Sequence, residues 1–235
     1  MTTAVVGATT AGPAAAAEPA LTRSSTISGV GAPAVAAPTD ALTELRRARA
    51  AMLVTDDAPY AGTIPWRIPR PDRIQVVGDP WDEVSHPCRE ATYAQLSGEA
   101  FRNRILVSDT ATSYDASVEE DVLLFPDAAT AASAYDQLAT ELTTCQERHA
   151  ETGADLPVTY VGDVADPTGG RGTVWNADFA TSDPEFLEDM TAAVVQHGRA
   201  IAVISVNRYG TLATYDPAAA LPTAQAALTR LSYFD

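Results

Sequence analysis

"LLFPDAATAASAYDQLATELTTC", residues 123–145, runs from an apolar burst through an alanine-built segment and stops on a cysteine. Counting from Ala128, the positions Ala131, Ala132, Tyr135, Leu138, Leu142 and Cys145 recur at three- and four-residue steps, so they share one stripe of a helix. Asp127 is the natural N-cap, and Pro126 stops whatever strand precedes it. A strand that turns directly into an amphipathic helix with one apolar face needs a sheet to pack on. The small alanines let the helix approach that sheet closely.

The stretches on either side supply the sheet. "EAFRNRILVSD" (99–109) and "ASVEEDVLLFP" (116–126) read as two strands able to pair as a hairpin. "PVTYVGDV" (157–164) and "GTVWNADFA" (172–180) read as two more, joined by the turn-forming "ADPTGGR". In 172–180 the bulky Thr173, Trp175, Ala177 and Phe179 alternate with Val174, Asn176 and Asp178. "EDMTAAVVQHGRAIAVISVNRYG" predicts a further hairpin with His197-Gly198 as its two-residue turn. Helices are expected from Thr39 and Asp40, where Leu42, Leu45, Arg49 and Met52 keep a helical step, and over 222–232, where Leu228 and Leu231 do. Five prolines from Pro59 to Pro80 exclude a long helix there and predict an irregular connection holding Trp66 and Trp81. Strands and helices mix without regular alternation. The expected fold is therefore α+β, a single domain over 39–235 with an antiparallel sheet and helices packed on it. Residues 1–38, rich in Ala, Gly, Thr, Ser and Pro, read as a disordered leader or a degraded or truncated export signal.

Composition narrows the function. Of 235 residues, 46% are apolar and 20% charged, as in a globular protein. The formal charge of −16 repels nucleic acid and anionic lipid, so neither is an expected partner. The one dense basic run, Arg46, Arg47 and Arg49, lies on a single expected helix. All fifteen basic residues are arginine, and the missing lysine removes Walker-type phosphate loops, pyridoxal Schiff bases and Ser-x-x-Lys acyl-enzymes. No apolar run approaches the roughly 20 residues of a membrane span.

Motifs for chemistry are sparse. Cys88 and Cys145 could close a loop of about 58 residues worth roughly 4 kcal/mol, or stay as two buried thiols. A thiol nucleophile at Cys88 with His86 as base is the sharper alternative, but Pro87 between them gives no reason for the side chains to meet. His86, His149 and His197 lack metal-ligand spacing, and His197 reads as an exposed turn residue. The acidic runs 118–122 and 182–189 match no calcium loop and read as solvated charge. "PTGGRG" (167–172) leads into a strand rather than a helix, so it reads as a hairpin loop instead of a phosphate cradle. No cofactor and no metal is expected.

Taken together, the order of elements resembles the PknH-like extracellular sensor domain family of actinobacteria. The residues that carry the likeness are "ALTELRRARAAML", "PWDEVSHPC", the 123–145 stretch, "GTVWNADF" and "AAVVQHGRAIAVISV". The resemblance implies a freestanding secreted or envelope-associated, non-enzymatic domain whose cleft on an antiparallel sheet binds an unidentified small molecule or envelope component. The family pattern commonly has four cysteines in two bridges; here the pair available is Cys88 and Cys145. On the late hairpin Ile201, Val203, Ser205, Asn207 and Tyr209 share a face that turns from apolar to polar; Ser205, Asn207 and Tyr209 are the candidate ligand contacts if a cleft opens there, against a strand end emerging into solvent. Arg102 and Arg104 share a face of another strand and are candidates for an anion, against pairing with nearby carboxylates. The competing functions are a secreted hydrolase built from distant carboxylates and a structural envelope protein.

Overall fold

The computed structural model describes residues 39–78, 86–108, 116–152, 156–178, 187–209 and 216–234. The expected 1–38 leader, Trp81, Phe179 and most of the 182–189 acidic run lie outside these residues. Eight strands form one antiparallel sheet: β1 (Trp66–Arg67), β2 (Arg73–Val76), β3 (Ala100–Ser108), β4 (Ala116–Leu124), β5 (Val158–Ala165), β6 (Arg171–Asp178), β7 (Leu187–His197) and β8 (Ala200–Tyr209). Their order is β1-β3-β4-β8-β7-β6-β5, with β2 also on the outer edge of β3. The α+β class and the antiparallel sheet are as the sequence implies.

Helices cover both faces. On one lie α1 (Thr39–Arg47), a 3-10 turn at Ala48–Ala51 and the C-terminal α4 (Ala220–Leu231). Their Leu45, Met52, Leu228 and Leu231 meet Val118, Val122, Leu124, Val195 and Ile204 of the sheet. On the other lie α2 (Ala128–Thr143), α3 (Cys145–Glu151) and the segment 86–98, which pack Tyr93, Leu138, Leu142 and both cysteines on Phe101, Leu123, Val194, Ile201 and Val203. Because successive side chains of a strand alternate sides, β4 and β8 feed both cores at once. The centre of the sheet is therefore buried twice over.

The connection between β4 and β5 shows why the 123–145 stretch decides the fold. Asp127 caps α2 by accepting the Thr130 N–H at 2.7 Å. The helix buries Ala131, Ala134, Tyr135, Leu138, Glu141 and Leu142, and it carries the chain across β8 and β7 to the far edge. The meander β5-β6-β7-β8 then returns until β8 pairs with β4.

Four local expectations are corrected. The helix does not stop on Cys145: it breaks at Thr144, whose hydroxyl bonds back to the Thr140 carbonyl at 2.9 Å, and Cys145 opens α3. The Pro-rich connection contains two short strands, which prolines tolerate because β1 and β2 are edge strands. The β7–β8 turn is Gly198-Arg199, since His197 still pairs with Ala200, and Gly198 supplies the positive φ of 52°. The first helix ends at Arg47 and tightens into a 3-10 turn before Met52.

Candidate functional site

Cys88 and Cys145 are disulfide-bonded, with Cα atoms 5.0 Å apart. The bridge belongs to a wider clamp. Arg148 of α3 donates to the Cys88 carbonyl at 2.8 Å and pairs with Glu90 at 2.7 Å, while Glu141 of α2 accepts the Glu90 and Ala91 N–H groups at 3.0 and 3.2 Å. These contacts fasten the segment 86–91 to α2 and α3. Glu141 interrupts the apolar stripe, and only the presence of this backbone opposite it explains a carboxylate buried there.

Beneath the clamp lies a cavity of about 20 Å³, enough for one water-sized group. Its walls join His86, Cys88, Arg89 and Glu141 to the apolar Leu138, Leu142, Ala192, Val194, Val203 and Ile204. His86 Nδ1 accepts the Cys88 N–H at 3.0 Å, so Nε2 carries the ring proton. Burial, reinforced by the Arg89 charge, pushes the imidazole down to about 3, and the ring is neutral at physiological pH. Among the described residues, buried Nε2 has no hydrogen-bond partner. This arrangement does not suit a thiol nucleophile: Cys88 is consumed in the bridge, and His86 faces a backbone amide.

Beyond Val203 of the cavity wall, the same face of β8 carries Ser205 and Asn207, both buried. The Ser205 hydroxyl donates to Asn207 Oδ1 at 3.0 Å, and Asn207 Nδ2 donates to the Ser117 hydroxyl on β4 at 3.3 Å. Glu119, opposite Ser205, accepts from Asn103 Nδ2 at 2.9 Å. The same amide donates to Asp121 at 2.9 Å, and Asp121 also accepts the Tyr93 hydroxyl at 2.7 Å. A polar strip thus crosses β3, β4 and β8, its inner members buried and Ser117 and Glu119 half-buried. Tyr209 stands at the end of β8, with its side chain outside the described residues. Asn103, Glu119 and Asp121 are missed by sequence reasoning, although their period-two spacing on paired strands was a usable signal.

Arg102 and Arg104 sit on the opposite face. Arg104 donates to Asp72 at 2.6 Å and to the Leu53 carbonyl at 2.7 Å; Arg102 donates to Asp72 at 2.9 Å and to the Leu45 carbonyl at 2.6 Å. Burial works to raise the Asp72 carboxyl, but bonds and charge from Arg104 and then Arg102 outweigh it and hold it below the usual range. Both guanidinium groups are engaged in tying α1 and the chain after it to the sheet. Of the candidate contacts, the structure brings Ser205 and Asn207 together and sets the two arginines apart from them.

Two further readings change. The run 118–122 is not solvated: Glu120 and Asp121 are fully buried, on opposite faces. Burial raises the Glu120 carboxyl to about 8, against the hydrogen bond from the Leu53 N–H at 2.8 Å and the nearby Arg104 charge. His197 is not exposed; it lies 2.8 Å from the Thr168 hydroxyl, in the loop that Asp166 organises by accepting the Thr168 and Gly170 N–H groups. That loop joins two strands, as a hairpin loop should. No group of three or more His, Cys, Asp or Glu suited to a metal occurs among the described residues.

Comparison with known proteins places this architecture. The family model for the PknH-like extracellular domain matches residues 78–204, just over half of the chain. The chain belongs to that family. The matched span holds both cysteines, the cavity walls and the strip residues of β3 and β4, and it ends one residue before Ser205. The crystal structure of the extracellular domain of PknH from Mycobacterium tuberculosis is similar over 82% of this chain and 97% of that one, with a TM-score of 0.52 at 12% identity. At that identity the likeness is one of fold. Curated protein sequences show no match. No helix among the described residues is long and apolar enough to cross a membrane.

Proposed function

We propose that this PknH-like extracellular domain is a sensor-type domain that works outside the cytosol as a non-enzymatic binder, secreted or held at the envelope, and that it takes its ligand on the α2 side of the sheet. The observation that supports this reading is the small cavity beside His86 and the disulfide residue Cys88, on the same face of the sheet as the hydrogen-bonded strip of Ser205, Asn207 and Ser117. A recess of mixed apolar and polar lining on the same face as amide, hydroxyl and carboxylate groups is in keeping with a small-molecule site. Covalent fastening of its roof favours binding with little reorganisation.

The hydrolase reading finds less support. Glu119 and Asp121 do share a face, but Asp121 is sealed between Tyr93 and Asn103, out of reach of a substrate. Glu120, whose carboxyl burial raises to about 8, faces the other core. An acid and a base must both reach the reacting bond, and these three do not converge.

The test is a thermal-shift screen of the oxidised domain against neutral, cationic and anionic small molecules, repeated with Asn207→Ala. A binder raises the melting temperature in proportion to RT ln(1 + [L]/Kd), and the variant should lose the rise while keeping its own fold. Hits whose effect is indifferent to Asn207→Ala and to Ser205→Ala would move the site elsewhere.

A further inference from the structure

The basic run Arg46, Arg47 and Arg49 is exposed at the end of α1 and in the turn after it. Of the three, only Arg47 lines a cavity, an open groove of about 520 Å³ that it shares with Glu44, Arg199, Tyr233 and Phe234. That volume lies within the roughly 300–1,000 Å³ of small-molecule sites. The groove opens to solvent, so a ligand has both room and access. Of its five wall residues only Arg199 falls within 78–204, the span that the family model matches. The site is therefore built mainly by the two ends of the described chain.

Charge in the groove has an uneven balance. Glu44 and Arg47 stand three residues apart on α1, a spacing that suits an ion pair, but the Glu44 carboxylate is held by Arg199 of the β7–β8 turn. Arg199 is fixed further by donating to the Phe125 carbonyl at 3.4 Å. Arg47 keeps no ion pair or hydrogen bond of its side chain among the described residues. Two guanidinium groups thus face one carboxylate, a net positive groove in a chain of formal charge −16. The Leu45 and Arg46 carbonyls, at the negative end of α1, accept from Arg102 beneath and do not offset it. Tyr233 supplies the flat wall. Its ring is 48% exposed and meets Phe234 at 88° with centroids 5.5 Å apart, and Phe234 is anchored in the core that α1 and α4 share. The ring is held in place while much of its surface stays open to a planar partner.

We propose that this groove binds an aromatic carboxylate, a singly charged ligand whose carboxylate takes the planar fork of Arg47 and whose ring system stacks on Tyr233. The volume leaves room for two fused rings. A dianion such as a phosphate monoester sets its second charge against Glu44, and a saturated ring forgoes the offset stacking that a tyrosine face offers. This site lies apart from the α2 side and does not depend on the binding role argued above.

The experiment is a titration of the full oxidised chain, isotope-labelled at arginine and tyrosine and followed by NMR. The probes are naphthylacetate, naphthylacetamide, the fully saturated decahydronaphthyl acetate and naphthyl phosphate. Naphthylacetate should shift the Arg47 Nε and Tyr233 ring signals and show close contacts between naphthyl and tyrosyl protons. Arg47→Gln should weaken it about fivefold, the upper end for an exposed ion pair, whereas Arg46→Gln, adjacent but outside the groove, should leave it unchanged. The amide should bind weaker than the acid by the same factor, and salt at about 1 M should narrow that gap. Both arginines are exposed, so the variants should melt with the parent. Equal binding of acid and amide, with Arg47→Gln silent, would overturn the anion assignment. Equal binding of the saturated acid, with Tyr233→Leu silent, would overturn the aromatic requirement, and tighter binding of the phosphate would overturn the single charge. Arg47 and Tyr233 signals that no probe moves would overturn the site itself.

Discussion

Two buried groups with displaced pKa values in opposite directions should give this domain a flat-topped stability profile. Glu120 titrates from an ordinary 4.5 up to about 8 in the folded chain, so between those values the folded state binds the extra proton and stability falls as pH rises. His86 moves from 6.5 down to about 3, so between those values the unfolded state binds the extra proton and stability rises with pH. Each limb has a limiting slope of about 1.4 kcal/mol per pH unit. From pH 4.5 to 6.5 the two slopes cancel. Above 6.5 only Glu120 remains, facing the charges of Arg104 and Arg230 with Asp121 behind it on β4, and stability drops by about 2 kcal/mol by pH 8. Below 4.5 His86 alone lowers it, later joined by Asp72, whose depressed carboxyl contributes stability that is lost only as pH falls through its folded value. Urea denaturation of the oxidised protein at constant m measures this directly. Glu120→Gln keeps a carbonyl for the Leu53 N–H and introduces no charge, so it should remove the fall above pH 6.5 and leave the acid limb intact. Parallel curves for parent and variant from pH 6.5 to 9 would refute the reasoning, because Glu120 would then not be the group that titrates there.

Three other outcomes are expected. Reducing Cys88–Cys145, or replacing both residues by Ser, should lower the urea stability by about 4 kcal/mol through the freed loop; an unchanged midpoint under reductant would mean that the Arg148 and Glu141 contacts hold the clamp without the bridge. Asp72→Ala strands two buried guanidinium groups and should cost about 3–5 kcal/mol, read as a fall in melting temperature, whereas Asp72→Asn should recover part of it by accepting from Arg104. Gly170→Ala would place its Cβ 2.7 Å from the His197 ring and 2.8 Å from Leu228, besides a clash with the Asp166 carboxylate, and should cost about 1–3 kcal/mol by calorimetry.

Much of this protein is legible locally. The helical stripe of 128–142, the alternation in 172–178 and the apolar hairpin at 190–206 each carry their own period, and a period depends only on near neighbours in the chain. So the elements, the α+β class and the inward direction of Cys145 follow from the sequence alone. The single partner available to Cys145 followed from counting.

Which side of the sheet a residue reaches, and what waits there, belongs to the tertiary structure. Arg102 and Asn103, or Glu119 and Glu120, are adjacent in the chain but point to opposite faces of the sheet, one covered by helices from the two ends of the described chain and the other by α2, α3 and residues 86–98 from its middle. An acidic run that looks solvated becomes two buried carboxylates, one sealed by Tyr93 and one holding the Leu53 amide. His86 stays neutral because it is buried beside Arg89, and its proton sits on the buried Nε2 because the Cys88 amide donates to the other nitrogen. Pairings such as Tyr93 with Asp121 and Arg230 with the Ala50 carbonyl join residues 28 to 180 positions apart, and no local pattern encodes distances of that kind.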